Sequence, residues 1–216
     1  MPDKIQPTKE IARGLFILNL GFVSSYLVRA GDSLVAMDAG MNPGKIVSEM
    51  KKLGLDPAKV RYVFFTHSDR DHVGGAAAFN HAKAFISEDE VAMLNHSTPR
   101  FFKRVYNNPL PFPYETVKDD QELKLGDTLI KCISTPGHTT GSMSFLVNGA
   151  ILIVGDELNL RHGEAVLDRN ILGIDNLKRL ESIHKLARLS DVRIICPAHS
   201  GYSEDFEKAI KNWREN

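Results

Sequence analysis

The stretch T-H-S-D-R-D-H-V-G-G, Thr66 to Gly75, directly follows the apolar run V-R-Y-V-F-F and decides how the chain is interpreted. The nearly continuous apolar character of that run predicts a strand covered on both faces. Two histidines and two aspartates then fall just past its C-terminal end: His67, Asp69, Asp71 and His72. A solvated turn rarely needs histidine at both ends, whereas imidazole and carboxylate are common ligands for zinc and iron. The stretch therefore favours a metal site.

Three later apolar runs end in the same way. T-L-I-K-C-I-S-T is followed by P-G-H-T-T-G-S with His138, A-I-L-I-V-G by Asp156, and V-R-I-I-C by P-A-H-S-G with His199. Binding residues concentrate on loops held by a rigid scaffold, and strand ends are a favoured place for them. A lone histidine after a strand is more often a structural group, but this repeated placement is hard to explain by packing or solubility. We expect these residues to share one site.

The composition is that of an ordinary globular chain. Its 216 residues are 43% apolar and 25% charged, so a normal buried core is expected, and no linker or low-complexity tract divides the chain. We expect one domain over residues 1–216. The 27 basic and 27 acidic residues cancel, which argues against a nucleic-acid partner, since such binders usually carry a basic excess. The one local basic cluster is Arg100, Lys103 and Arg104.

The sequence also predicts the cellular compartment of the protein. No apolar run reaches the roughly 18 residues of a membrane span, and the polar N-terminus lacks the apolar core of a signal peptide. Cys132 and Cys196 lie in strand-like runs and are expected to be buried free thiols. We therefore expect a cytoplasmic protein with a small-molecule substrate and no membrane partner.

The motif H-x-D-x-D-H, followed by His138, Asp156 and His199, resembles the metallo-β-lactamase superfamily, whose pattern is H-x-H-x-D-H and then His, Asp and His. Met37-Asp38-Ala39-Gly40 also resembles the early strand-end Asp-x-Gly of that family, so the resemblance spans nearly the whole chain. It implies an α+β fold, a four-layer αββα sandwich of two mixed β-sheets flanked by helices, with a two-metal site at one edge of the sheets.

The resemblance also implies a role for each residue. His67, Asp69 and His138 would bind the first metal ion; Asp71, His72 and His199 would bind the second, and Asp156 would bridge them. Asp38 would hold the ligand loops without touching metal. Asp71 is in addition the expected catalytic residue, placed to orient a hydroxide held between the two ions.

Asp69 departs from the common pattern, which has histidine there. An aspartate is shorter than an imidazole and makes the first metal site richer in oxygen, which iron and manganese tolerate better than a three-histidine site. The flavodiiron branch has an acid at this position too, as H-x-E-x-D-H. Hydrolase-like members with Asp at this position keep zinc as the first expectation. The cofactor is therefore two divalent ions, zinc first, with iron or manganese as alternatives.

These features predict a metallohydrolase that attacks a small ester, lactone or thioester with a metal-bridging hydroxide. One alternative is a di-iron redox enzyme, an oxygen or nitric oxide reductase or a sulfur dioxygenase, which would need a separate electron-transfer partner. Another is a binding module that keeps the metal site without turnover. His162 and Tyr202 are weak candidates for a general acid. The proline- and aromatic-rich segment His96 to Lys118 is either a lid over an apolar pocket or a packed surface loop.

Overall fold

The fold is built on two mixed β-sheets. The computed structural model describes residues 1–100, 109–167 and 173–214. The first sheet has the strand order β1-β2-β3-β4-β5-β6-β7. Its strands β1 to β4 pair antiparallel, and β4 to β7 pair parallel. The seven strands are β1 Lys9–Ala12, β2 Leu15–Asn19, β3 Ser24–Ala30, β4 Ser33–Met37, β5 Val60–Phe64, β6 Lys83–Ser87 and β7 Tyr114–Val117.

The second sheet has the strand order β14-β11-β10-β9-β8. Its neighbours pair antiparallel except β11 and β14, which run parallel. A separate hairpin is formed by β12 and β13. The strands are β8 Glu122–Leu125, β9 Thr128–Ser134, β10 Met143–Val147, β11 Ile151–Gly155, β12 Asn159–Arg161, β13 Glu164–Val166 and β14 Ile194–Pro197.

Helices connect the strands and begin at residues suited to that position. Asn42 accepts hydrogen bonds from Gly44 N and Lys45 N at the start of α1, and Pro43 supplies a preset φ at its first position. Asp175 caps α4 in the same way. The helices are α1 Pro43–Lys52, α2 Arg70–Val73, α3 Val91–Leu94, α4 Asn176–Ala187 and α5 Phe206–Arg214, with 3₁₀ turns at Pro57–Lys59, Ala76–Phe79 and Glu88–Glu90.

Three hydrophobic clusters separate four layers. The central cluster joins the inner faces of the two sheets, with Phe64 of β5 edge-on to Phe145 of β10. A second cluster packs the outer face of the first sheet against α1, including Ile46 and Met50. A third packs the second sheet against α4 and α5, including Ile183 and Phe206. The predicted αββα sandwich of mixed sheets is confirmed.

The segment His96 to Lys118, expected to be a lid over a pocket or a packed surface loop, contains strand β7, which pairs parallel with β6. Leu110 and Phe112 pack against the cluster on the outer face of the first sheet, so residues 109–117 belong to the packed body. The lid hypothesis also covers residues 101–108, which lie outside the described residues.

Candidate metal centre

Five strand ends bring the predicted site residues together. Asp38 follows β4, the His67 to His72 stretch follows β5, His138 follows β9, Asp156 follows β11 and His199 follows β14. Asp38 itself has a positive φ of 61°. The turn after β11 requires glycine, because Gly155 has φ +55° and a Cβ there would lie 2.6 Å from the Thr66 hydroxyl. The two sheets thus deliver their polar strand ends to one place.

Two groups of side chains could each hold an ion. We call His67, Asp69 and His138 the first half-site, and Asp71, His72, Asp156 and His199 the second half-site. Within each group the nearest ligand atoms all lie within 4.8 Å of one another. All seven predicted ligands belong to one group or the other; their roles as ligands remain predictions.

The second half-site has the spacing that a metal ion requires. His72 Nε2 lies 3.2 Å from Asp156 Oδ1 and 3.6 Å from Asp71 Oδ2. His199 Nε2 lies 3.1 Å from Asp156 Oδ1 and 3.3 Å from Asp71 Oδ2. Ligands placed tetrahedrally at about 2.0–2.2 Å from an ion would lie roughly 3.3–3.6 Å apart. The four side chains therefore fit a divalent ion.

The first half-site has similar spacing. Asp69 Oδ2 lies 3.5 Å from His67 Nε2 and 3.2 Å from His138 Nε2. Asp156 Oδ2 lies 3.4 Å from His138 Nε2, while its Oδ1 faces the second half-site. Asp156 Oδ2 also lies 3.1 Å from His199 Nε2, so the carboxylate of Asp156 lies between the histidines of the two half-sites, where a bridging ligand would stand.

Several histidines are oriented through the nitrogen that does not face the centre. Asp38 Oδ2 accepts from His72 Nδ1 at 2.8 Å, and Asp38 also accepts from the amide and the hydroxyl of Thr66. His199 Nδ1 donates to the carbonyl of Phe22 at 2.7 Å. His67 Nδ1 lies 3.0 Å from the Thr66 hydroxyl. Such contacts fix the tautomer and direct each Nε2 toward a metal ion.

Polar atoms that face the centre lack ordinary partners. His67 Nε2, His72 Nε2 and Asp156 Oδ1 are buried and lie 3.1–3.5 Å from oppositely charged side chains of the site, but within the described part of the chain none of them makes a well-aligned hydrogen bond. A buried polar atom without a hydrogen bond is costly, so most are paired in folded proteins. Metal coordination would satisfy all three, which supports the fit of the donor set to metal ions.

The charges of the second half-site stabilise one another. Burial lowers the pKa of His199, but the charge of Asp156 and hydrogen bonds with Asp156 and Asp71 outweigh it and raise that pKa to about 10. The pKa of His72 is also raised well above its ordinary value, because three carboxylates outweigh burial. Burial favours the protonated form of Asp156, but the neighbouring histidines hold its pKa well below the usual range.

His138 of the first half-site behaves differently. Burial lowers its pKa to about 4, against the opposing charge of Asp156 and its hydrogen bond with Asp69. For Asp69, burial acts to raise the pKa, but hydrogen bonds with His138, His67 and Arg100 keep it far below the ordinary value. His138 is thus a neutral imidazole beside an ionised carboxylate.

Arg100 is a member of the site that the sequence did not identify. Its Nε donates to Asp69 Oδ1 at 2.7 Å and its Nη2 to Asp69 Oδ2 at 2.9 Å. The same Nη2 lies 3.1 Å from His138 Nε2. Arg100 is 3% exposed. The only sequence signal was its place in the local basic cluster, which suggested a surface patch and not a buried guanidinium.

Glu90 was also missed. Its carboxylate accepts from Ser68 N and the Ser68 hydroxyl at 2.9 and 2.6 Å, and from the Thr139 hydroxyl and Gly141 N at 2.7 and 3.1 Å. Ser68 stands between two residues of the first half-site, and Thr139 directly follows a third. Glu90 therefore ties together the two loops of the first half-site. In the sequence, Glu90 stands in an acidic turn after β6, and that pattern does not predict a role in the site.

The two candidates for a general acid lie elsewhere. His162 occupies the turn between β12 and β13, where its amide donates to Asp3. Tyr202 packs at the edge of the inter-sheet core, with the Lys9 ammonium over its ring. His162 belongs to neither half-site.

Two curated proteins illustrate what this chain is similar to. Uncharacterized protein YobT of Bacillus subtilis (strain 168) is 35% identical over 157 residues, which cover 67% of this chain and 65% of YobT. The N-acyl homoserine lactonase AttM of Agrobacterium fabrum is 28% identical over 178 residues, covering 76% of this chain and 67% of AttM. The chain thus spans about two thirds of the length of these curated relatives.

Solved structures share the fold. A B3 metallo-β-lactamase with an active-site glutamic acid superimposes with a TM-score of 0.76 at 22% identity, over 97% of this chain and 86% of that protein. A family model described as the metallo-beta-lactamase superfamily matches residues 18–199, a range that includes Asp38 and all seven predicted ligands. The chain belongs to the metallo-β-lactamase superfamily.

Proposed function

We propose that this protein is a metal-dependent hydrolase of small lactones, esters or thioesters. The observation that carries the proposal is the second half-site, where two imidazoles and two carboxylates stand at the spacing of a tetrahedral ion. Divalent ions held by the two half-sites would supply a water nucleophile active at neutral pH and a Lewis acid for the substrate carbonyl. Zinc is the proposed metal, with iron or manganese as alternatives.

Exposure indicates where a substrate would enter. The side chains of Asp71 and His199 are 22% and 20% exposed, whereas those of His67, His72 and His138 are almost fully buried. Asp69 is 18% exposed but is covered by Arg100, so we take the side of Asp71 and His199 as the entrance for a substrate. The carboxylate of Asp71 can accept a hydrogen bond from the attacking water and hold a lone pair of that water toward the carbonyl carbon. We propose this orienting role for Asp71.

An apolar side chain lies beside this opening. Phe22 is 58% exposed, and its ring is parallel to that of His199 with the centroids 6.0 Å apart. An exposed aromatic ring beside the site provides an apolar contact for an acyl chain. The AttM relative is an N-acyl homoserine lactonase, which supports a lactone with an apolar acyl substituent as the first substrate class to test. In such a reaction water adds to the carbonyl carbon, the ring C–O bond breaks, and the alcohol leaves with a proton.

The di-iron redox alternative was motivated by Asp69. Arg100 binds both oxygens of that carboxylate, so the acid at this position has a structural partner within the chain. The position of Asp69 therefore gives no specific support to redox chemistry. Hydrolysis remains the proposal.

The test is a panel of N-acyl lactones, aryl esters and thioesters, assayed with zinc-, manganese- and iron-loaded protein. We expect lactone hydrolysis well above that of free metal, and a loss of more than about a hundredfold in His199→Ala. The matched control is His81→Ala, since His81 is an exposed histidine outside both half-sites. A protein that carries metal but turns over none of these substrates would refute the proposal.

A further inference from the structure

Arg100 and a metal ion would use the same atoms of the first half-site. Its Nη2 lies within hydrogen-bond distance of both Asp69 Oδ2 and His138 Nε2, at 2.9 and 3.1 Å. Both atoms are also the nearest ligand atoms for an ion in that half-site, where they lie 3.2 Å apart. The guanidinium of Arg100 therefore contacts two of the atoms that would bind a metal ion in the first half-site.

The decisive atom is His138 Nε2. A carboxylate offers about four lone-pair positions, so Asp69 can accept from Arg100 and still bind a metal ion. A neutral imidazole nitrogen has one lone pair. Because an arginine can only donate, the contact with Nη2 uses that lone pair in the tautomer whose proton is on Nδ1, and an ion at the first half-site would need the same lone pair. In the other tautomer, Nε2 donates to Asp69 Oδ2 at 3.2 Å. Hydrogen bonding to Arg100 and coordination by His138 Nε2 exclude each other.

The positive charge of Arg100 also disfavours a metal ion at the first half-site. A guanidinium is a cation that can only donate hydrogen bonds. With Arg100 3% exposed, little solvent screens its repulsion of a divalent ion next to Asp69 and His138. The bidentate pair of Arg100 with Asp69 is itself a strong form of hydrogen bonding. The guanidinium therefore supplies positive charge to the first half-site in place of a metal ion.

His138 also lacks the orienting hydrogen bond that the other three histidines of the site make, within the part of the chain that the structure describes. His72, His199 and His67 have contacts that orient the nitrogen facing away from the centre. His138 Nδ1 is buried and has no hydrogen-bond partner within residues 1–100, 109–167 and 173–214. Partners of this kind raise the affinity of a histidine for metal. The first half-site lacks this support at one of its two histidines.

We infer that Arg100 competes with metal at the first half-site, so that the protein binds one ion tightly at the second half-site and a second ion only when Arg100 is displaced. This inference concerns metal binding and does not depend on the substrate. It identifies Arg100 as the residue that sets the difference in affinity between the two half-sites.

Calorimetric zinc titration of metal-free protein, with metal content measured after dialysis, tests the inference. We expect one tight ion in the wild type and a second bound at least about tenfold more weakly. Arg100→Met removes the charge and the donors, and should strengthen the second ion by about tenfold or more. Arg193→Met is the matched control, because Arg193 is an exposed arginine just before β14, at the end of that strand away from His199. It should titrate like the wild type.

A second variant keeps the test informative if Arg100→Met does not fold. Arg100→Lys retains a cation but cannot make the planar two-bond contact with Asp69, so it should strengthen the second ion by a smaller factor. Two ions of equal affinity in the wild type would overturn the inference. So would a second ion that binds no more tightly, or more weakly, in the variants. Hydrolytic activity is scored separately, so failure of the proposed function would not imitate either result.

Discussion

At the scale of single residues, Asp156 is the only carboxylate that faces both half-sites among the residues that the structure describes. Its Oδ1 lies 3.2 Å from His72 Nε2, and its Oδ2 lies 3.4 Å from His138 Nε2. His199, by contrast, belongs to the second half-site alone. Substitutions at these two positions should therefore have different effects on metal content.

We expect Asp156→Ala to weaken both ions, whereas His199→Ala should lose the tight ion and leave the weaker site unchanged. Asp69→Ala should affect only the first half-site. Metal content after dialysis and calorimetric titration with zinc measure these differences. The exposed Asp32 gives a control, Asp32→Ala, that should keep the wild-type stoichiometry. Equal loss of both ions in His199→Ala would contradict the division into half-sites.

The histidines of the second half-site predict a pH dependence of metal binding. The pKa of His199 is raised to about 10 and that of His72 is also raised, so both are protonated at neutral pH without metal. Metal ions bind neutral imidazole, so binding must release these protons. The apparent affinity should therefore increase from pH 6 to pH 9, with roughly two protons released per ion at pH 7.5.

The raised pKa values of His199 and His72 also determine how the stability of the metal-free protein depends on pH. A folded pKa above the ordinary 6.5 stabilises the folded state in full below about pH 6.5, and this contribution is lost as the pH rises through about 10.

The protons released when zinc binds are measured by calorimetry in buffers of different ionisation enthalpy. Zinc affinity that stays constant from pH 6 to pH 9 would contradict this description of the second half-site.

At the scale of elements, the loops after β5 and β9 carry the first half-site, and Glu90 joins them. Four donors from Ser68, Thr139 and Gly141 converge on its buried carboxylate. The contact is close, since a Cβ at Gly141 would lie 2.2 Å from Glu90 N. The geometry of the first half-site therefore depends on a residue that touches none of its ligands.

We expect Glu90→Ala to destabilise the protein by about 3–5 kcal/mol, because it leaves several buried donors without an acceptor. Glu90→Gln keeps one acceptor oxygen and should cost less. Urea denaturation at fixed pH, with and without zinc, measures the free energy of unfolding. Glu88→Ala is the control: Glu88 is exposed and pairs with Lys118 at the surface, a contact worth about 0–1 kcal/mol. Equal effects at the two positions would disprove the role of Glu90.

The strand ends were predictable from the sequence because apolar runs of five or six residues mark buried strands and end at polar residues. The seven ligand candidates follow such runs, and the structure brings them together. Arg100 and Glu90 were not predictable, since each reaches the centre through contacts that span tens of residues in the chain. β7 was missed because its sequence, Y-E-T-V, is only partly apolar and follows a proline-rich segment.

At the scale of the whole molecule, the two sheets are held together by an apolar core, and the candidate metal centre lies where their strands end. Phe145 of β10 is fully buried and edge-on to Phe64 of β5, so it spans the contact between the sheets. The sequence predicted the sandwich through a family motif. Periodicity alone showed only that strands and helices alternate, because it does not reveal which strands pair across long connections.

Phe145→Ala should destabilise the protein by about 3–5 kcal/mol through lost burial and a cavity between the sheets. Thermal and urea unfolding of the metal-free protein measure the change. Leu129→Ala, at a residue that is 38% exposed on β9, should cost much less. A small effect at Phe145 would show that the contact between the sheets is not the main core.

Anomalous diffraction from zinc-loaded crystals would show whether the strand ends of the two sheets bind metal. We expect a strong peak about 2.0–2.2 Å from His72 Nε2, His199 Nε2 and the carboxylates of Asp71 and Asp156. A weaker peak, or none, is expected beside Asp69 while Arg100 remains bound to it. Zinc located away from these side chains, or a strong peak only at the first half-site, would show that the second half-site is not the tight metal site.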